Sequence, residues 1–192
     1  SPFDISFNLC IPGRALPLEV YVRWRPHLFS FLEELKHRSD VIDVVLFTAS
    51  QKIYARRVLS LMDPDGSIFS HSLFRESCRF LEGSFVKDLS ILGRPLSHTI
   101  LVDNSIQAYA LHPENGYAIP SWFDDPKDNE LPRLLSFLDN LLSRTAAFPE
   151  QVDFRHIIRK RFPIYNSTIA LKETKRSDVS SVKLENAVQI MV

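Results

Sequence analysis

Two β-branched apolar runs, residues 41–47 (VIDVVLF) and 99–103 (TILVD), constrain this chain most. Each is short and bounded by polar residues. Neither alternates cleanly enough to leave one face in water, which is the pattern of a parallel strand buried on both faces. Parallel neighbours need a crossover, and a helical pattern follows each run, over residues 51–62 and 105–111. The chain therefore predicts an open α/β sheet.

The rest of the chain fits around that frame. Residues 3–9 alternate apolar and polar, Pro12-Gly13 marks a turn, and residues 16–24 carry Leu18, Val20 and Val22 on one face, so a β-hairpin opens the chain. Leu28, Phe31, Leu32 and Leu35 repeat at helical spacing behind Arg25-Pro26, predicting an amphipathic helix over 26–37. Residues 68–86 read as a small antiparallel excursion and residues 117–120 as a brief strand. Helices are expected over 131–142 and 152–161. Past Phe162 the apolar pattern dissolves into Ser, Thr, Lys and Glu, so the expected division is a domain over 1–162 and a mobile tail over 163–192.

Charge and cysteine content narrow the function. Lys plus Arg and Asp plus Glu both number 23, so no net field favours nucleic acid or an anionic membrane. Cys10 and Cys78 follow no metal-binding spacing, which argues against zinc and disulfide frameworks and for a reducing compartment, nucleus or cytoplasm. No apolar run approaches the ~18 residues of a membrane span.

In open α/β sheets ligands collect at the carboxyl ends of the strands. Three polar signals fall there or nearby: Thr48, Lys87-Asp88 and Asp103-Asn104. A hydroxyl donor, an ammonium and a hard carboxylate together suit a phosphoryl group with Mg²⁺. Each has a plainer reading alone: a helix cap for Thr48, a solvated ion pair for Lys87-Asp88, a turn for Asp103-Asn104. Their order along the chain shifts the balance towards a site.

The blocks Phe47-Thr48-Ala49-Ser50, Leu73-Phe74-Arg75-Glu76, Val86-Lys87-Asp88-Leu89-Ser90, Leu101-Val102-Asp103-Asn104-Ser105 and Ser121-Trp122-Phe123 resemble the FCP/SCP-type phosphatases, a group within the haloacid-dehalogenase (HAD) superfamily. Arg25-Pro26-His27 is similar to a further block of that family. FTASQKIY at 47–54 looks most like its CTD small phosphatase-like protein 2 branch. The resemblance implies a HAD-like parallel sheet and a Mg²⁺-dependent protein serine/threonine phosphatase. Such an enzyme works through an aspartyl-phosphate. It also implies Thr48 and Lys87 as catalytic and phosphate-binding groups, Asp103 and Asn104 at the metal, and Arg75 gripping a phosphopeptide.

One part of the pattern is missing. The family carries Asp-x-Asp-x-Thr at the end of a first, central strand, supplying the nucleophile, the general acid/base and a metal ligand. The acids before Thr48 are Asp4, Glu19, Glu33, Glu34, Asp40 and Asp43, and none stands in such a motif. The chain opens on Ser1, so the expectation is a fragment whose first motif lies upstream. Two expectations follow, no turnover by this chain and a sheet whose inner strands lack a partner; the alternative to a fragment of an active enzyme is a pseudophosphatase that binds phosphopeptides without turnover. Orphaned backbone groups cost ~1–3 kcal/mol each, against a net domain stability of ~5–15 kcal/mol. Partial order of the isolated chain is therefore expected. A receiver-like phosphoacceptor domain, which also uses Asp, Thr and Lys, needs an acid at the strand end before Thr48, where the chain has Trp24-Arg25.

Overall fold

The computed structural model describes residues 3–148, 151–162 and 190–191. β1 (Ile5–Leu9) and β2 (Leu18–Val22) form the expected hairpin, in register from Ile5 opposite Val22 to Leu9 opposite Leu18. Phe7, Leu9, Val20 and Val22 are buried along it, as period-two alternation requires. Asp4 closes its open end by accepting the Trp24 N–H at 2.7 Å.

α1 (Leu28–His37) buries Leu28, Phe31, Leu32 and Leu35. It begins two residues later than the sequence suggested, because His27 takes a left-handed conformation (φ 66°) and breaks the turn. β3 (Val45–Phe47) follows, and α2 (Lys52–Met62) leaves its carboxyl end through Thr48-Ala49-Ser50. Asp63 stops α2 and ties the next loop, accepting the N–H groups of Ser67, Ile68 and Phe69.

The excursion expected over 68–86 divides in two. β4 (His71–Leu73) runs parallel to β3 and belongs to the main sheet. β5 (Arg79–Leu81) and β6 (Ser84–Val86) form the antiparallel hairpin. β7 (Leu101–Asp103) and β8 (Gly116–Ala118) are parallel neighbours, joined by 3-10 turns where the sequence suggested a short helix. Gly116 is dictated by packing, since a Cβ there would lie 2.6 Å from the buried Tyr109 ring. α3 (Glu130–Ala147) and α4 (Phe154–Arg161) complete the helices.

The five-stranded sheet has the order β4-β3-β9-β7-β8. β9 (Ile190–Met191) sits at the centre and runs antiparallel to both neighbours. No parallel strand precedes β3 in this sheet among the described residues. The central position is nevertheless held, by two residues of the segment expected to be a mobile tail. The remainder of that segment lies outside the described residues.

Alternation along β3 and β7 explains why both are apolar throughout. Leu46 and Val102 face a large cluster with Leu32, Leu35, Val58, Leu134 and Leu138 from the helices. Phe47 and Leu101 face the other way, into a smaller cluster with Leu89, Ala108 and Tyr109. The sheet is thus covered on both sides, which leaves the carboxyl ends of its strands as the place where polar side chains converge. No described helix is long and apolar enough to cross a membrane.

Candidate active site

Because β3, β4, β7 and β8 are mutually parallel, the residues that follow them share one edge of the sheet. Thr48 follows β3, Arg75 lies just past β4, Asp103 ends β7, and Ser121 lies just past β8. Two backbone bonds fix this edge, from Thr48 N–H to Leu73 O at 2.9 Å and from Ile119 N–H to Asp103 O at 3.1 Å. Lys87 arrives from the separate β5–β6 hairpin, anchored by its own N–H on Ala108 O at 2.8 Å.

The centre of the edge is an ion pair. Lys87 Nζ donates to Asp103 Oδ2 at 2.5 Å, with the two side chains 1% and 0% exposed. Asp103 Oδ1 accepts the Ser105 N–H at 2.7 Å, so both carboxylate oxygens are engaged and the group is fixed in orientation. Burial pushes the Lys87 ammonium below the usual lysine range, and the charge of Asp103 opposes that shift. Lys87 Nζ also lies 5.9 Å from the centre of the Phe47 ring. The sequence left Lys87-Asp88 open as an ordinary surface pair; the structure buries Lys87 against Asp103 and sends Asp88 elsewhere.

Thr48 is buried, and its hydroxyl oxygen accepts the Ser50 N–H at 3.1 Å, capping the turn into α2. Arg75 is half-buried, its Nε donating to Ala49 O at 2.6 Å and its guanidinium lying 4.9 Å over the Phe85 ring. Asn104 donates from Nδ2 to Ser121 Oγ at 2.9 Å, joining the ends of β7 and β8. Two arginine contacts steady the approach: Arg25 pairs both ways with Asp128 at 2.8 Å and donates to Pro120 O at 2.8 Å.

Sequence reasoning missed the place of Cys78 and the role of Asp88. Cys78 places its sulfur 3.9 Å from Thr48 O, and its thiol, pushed up by burial, feels the opposing charges of Lys87 and Arg75. The thiol thus lies beside the Thr48 backbone, within the field of Lys87, Arg75 and Asp103. Asp88 is the hub of a bracing network, accepting from Ser90 Oγ at 2.7 Å, Arg79 at 3.2 Å and His112 Nε2 at 3.0 Å. It links the hairpin, the turn after it and the loop before β8. No spacing in the sequence announces a pair 24 residues apart.

The Ser90 hydroxyl and His112 hold the Asp88 carboxyl well below the usual carboxylate range. A depressed carboxylate contributes stability that is present above its unfolded pKa of about 3.9 and lost as pH falls through the folded value. Asp88→Asn is therefore expected to lower the urea midpoint at pH 7 and to differ much less from the unchanged protein near pH 2. Midpoints measured at both values test this, and equal deficits at both would refute it.

For a divalent cation, Asp103 offers one hard oxygen ligand and Asn104 a neighbouring amide. Mg²⁺ is commonly held by one or two carboxylates plus phosphate oxygens and water. Among the described residues no three His, Cys, Asp or Glu side chains converge on a metal position. The donor set fits one side of such a site.

Comparison with known proteins agrees with this geometry. The sequence profile of the NLI interacting factor-like phosphatases matches residues 3–148. The chain belongs to that family. It is 39% identical over 148 residues to CTD small phosphatase-like protein 3 of Caenorhabditis elegans, covering 77% of this chain and 50% of that protein. It is 49% identical over 123 residues to the human CTD small phosphatase-like protein, covering 64% and 43%. Among solved structures, the fission yeast RNA polymerase II CTD phosphatase Fcp1 bound to beryllium fluoride superposes with a TM-score of 0.60 at 17% identity, covering 81% of this chain and 59% of that one. That likeness supports the HAD-like fold. This family member spans half or less of the length of these two curated relatives.

Proposed function

We propose that this chain is an FCP/SCP-type protein serine/threonine phosphatase domain, and that without an Asp-x-Asp-x-Thr strand it holds a phosphorylated residue without hydrolysing it. The observation that carries the reading is the buried Lys87–Asp103 pair at the carboxyl edge, immediately beside the slot between β3 and β7. A strand in that slot, running parallel to β3 and β7, would end level with Thr48 and Asp103. Two carboxylates at its end would stand next to the ammonium, the hydroxyl and the metal side.

In that arrangement Lys87 neutralises phosphoryl oxygen charge in a site of low dielectric, where an ammonium is worth most. Thr48 presents its hydroxyl to a phosphoryl oxygen. Arg75, braced on Ala49 O and Phe85, holds the peptide beside the phosphate. Asp103 orients Lys87 and, with Asn104, would hold Mg²⁺, which when bound stabilises charge on the transferring group. The nucleophilic carboxylate and the acid/base that protonates the departing serine oxygen would have to come from a strand ending in Asp-x-Asp-x-Thr. The substrate class is a phosphoserine or phosphothreonine protein in the nucleus or cytoplasm. The second reading, a phosphopeptide-binding pseudophosphatase, is favoured if no such strand exists, since Asp103 is already held through both oxygens by Lys87 and the Ser105 N–H.

The test is phosphate release from a phosphoserine peptide with Mg²⁺. The chain as given should release none above a Lys87→Ala control. The same chain preceded by an apolar strand ending in Asp-x-Asp-x-Thr should turn over. Binding without turnover in both would select the pseudophosphatase, and neither binding nor turnover would overturn both readings.

A further inference from the structure

The slot between β3 and β7 is one strand wide, because the sheet order passes from β3 through β9 directly to β7. Both walls are buried and parallel to their outer neighbours. β9 uses the slot in the opposite sense. Met191 pairs with Val45 and Leu101, and Ile190 pairs with Leu46. Neither residue carries an acid, so β9 brings no carboxylate to the edge where Lys87 and Asp103 lie. Among the described residues, Phe47, Val102 and Asp103 gain no strand partner on this inner side. A longer strand entering in the parallel sense could pair along all of Val45–Phe47 and Leu101–Asp103. Two occupants of one slot exclude each other.

We propose that Ile190–Met191 is a displaceable plug: it completes the sheet in the antiparallel sense and competes with the carboxylate-bearing strand for the slot between β3 and β7. The proposal rests on the phosphatase reading for the identity of the competitor. It adds that this chain carries its own autoinhibitory segment, which covers the buried edges of β3 and β7 whenever the carboxylate-bearing strand is not seated there. The geometry explains why so short a strand suffices, since backbone pairing to both neighbours closes part of each inner edge. Among the described residues β9 holds three register positions on two walls, against the six that Val45–Phe47 and Leu101–Asp103 offer a parallel strand.

The experiment uses the whole chain and a synthetic peptide of Val, Ile and Leu residues followed by Asp-x-Asp-x-Thr. Amide hydrogen exchange is followed at residues 45–47, 101–103 and 190–191. Adding peptide should expose the amides of Ile190 and Met191 while those of β3 and β7 stay protected. Retained protection at 190–191 with peptide bound would overturn the plug. A double variant, Ile190→Pro/Met191→Pro, removes both N–H donors and should bind the peptide at least about tenfold more tightly than the unchanged chain. Ile190→Val/Met191→Leu, which keeps both donors, should bind like the unchanged chain. Equal affinity in all three, with Mg²⁺-dependent turnover in all three, would sink the plug and leave the phosphatase reading standing. Peptide bound in the slot without turnover would remove that reading and leave strand exchange intact. Should the proline variant fail to fold, the exchange data on the unchanged chain still decide.

Discussion

In a domain completed with its carboxylate-bearing strand, Lys87→Met is expected to lower kcat on a phosphoserine peptide by about 10²–10³-fold, the usual loss when one preorganised charge-stabilising donor is removed. Lys87 is fixed at both ends, by its backbone on Ala108 O and by its ammonium on Asp103 Oδ2 at 2.5 Å. It needs no reorganisation when charge develops on the phosphoryl oxygens. Methionine keeps the length and apolar stem, so the cavity stays filled while the charge goes. The fall should appear in kcat more than in KM, because the charge matters most where the transferring group separates from both oxygens. Lys87→Arg should not rescue, since a planar guanidinium is larger than the ammonium and the site around Lys87 is 1% exposed. Turnover within threefold of the unchanged enzyme would remove Lys87 from the chemistry and leave it a structural ion-pair partner.

How much of this was legible beforehand follows from what each element needs to announce itself. Thr48 and Asp103 could be read because a buried strand must be apolar, and the first polar residue after it stands at its end. β4 could not, because His71 and Ser72 in a three-residue edge strand leave no apolar run. The strand expected over 41–47 shortened to Val45–Phe47 because Val41 is exposed and lies in the turn leaving α1. The hub at Asp88 and the place of Cys78 were invisible for another reason. Their partners lie up to 30 residues away and are chosen by how the hairpin folds back on the sheet. β9 is the extreme case, as two residues carry no periodicity at all. The expected sheet had a place beside β3, but nothing in the composition of the last thirty residues said which segment would enter it or in which direction.

Asp103→Ala is expected to cost about 3–5 kcal/mol, because it strands a buried ammonium whose desolvation was offset by its partner. For a domain of this size that is a fall in Tm on the order of 10 °C. The loss should shrink as pH rises towards 10. Burial already holds Lys87 below its ordinary range, and removing Asp103 takes away the main influence opposing that shift. The folded state then binds fewer protons than the unfolded one across the alkaline window, so stability rises with pH there. Part of the cost has another source, the Ser105 N–H left without its acceptor. A double-mutant cycle separates the two. Lys87→Met/Asp103→Leu loses that acceptor as well, yet leaves no unpaired charge, and should be more stable than the Asp103→Leu variant alone. If instead the two single costs add, the ammonium and carboxylate are held independently by their own burial. The tight contact between them would then reflect the geometry of the hairpin against β7 and contribute no coupling, and Lys87 would be free to turn its charge wholly towards a bound phosphate.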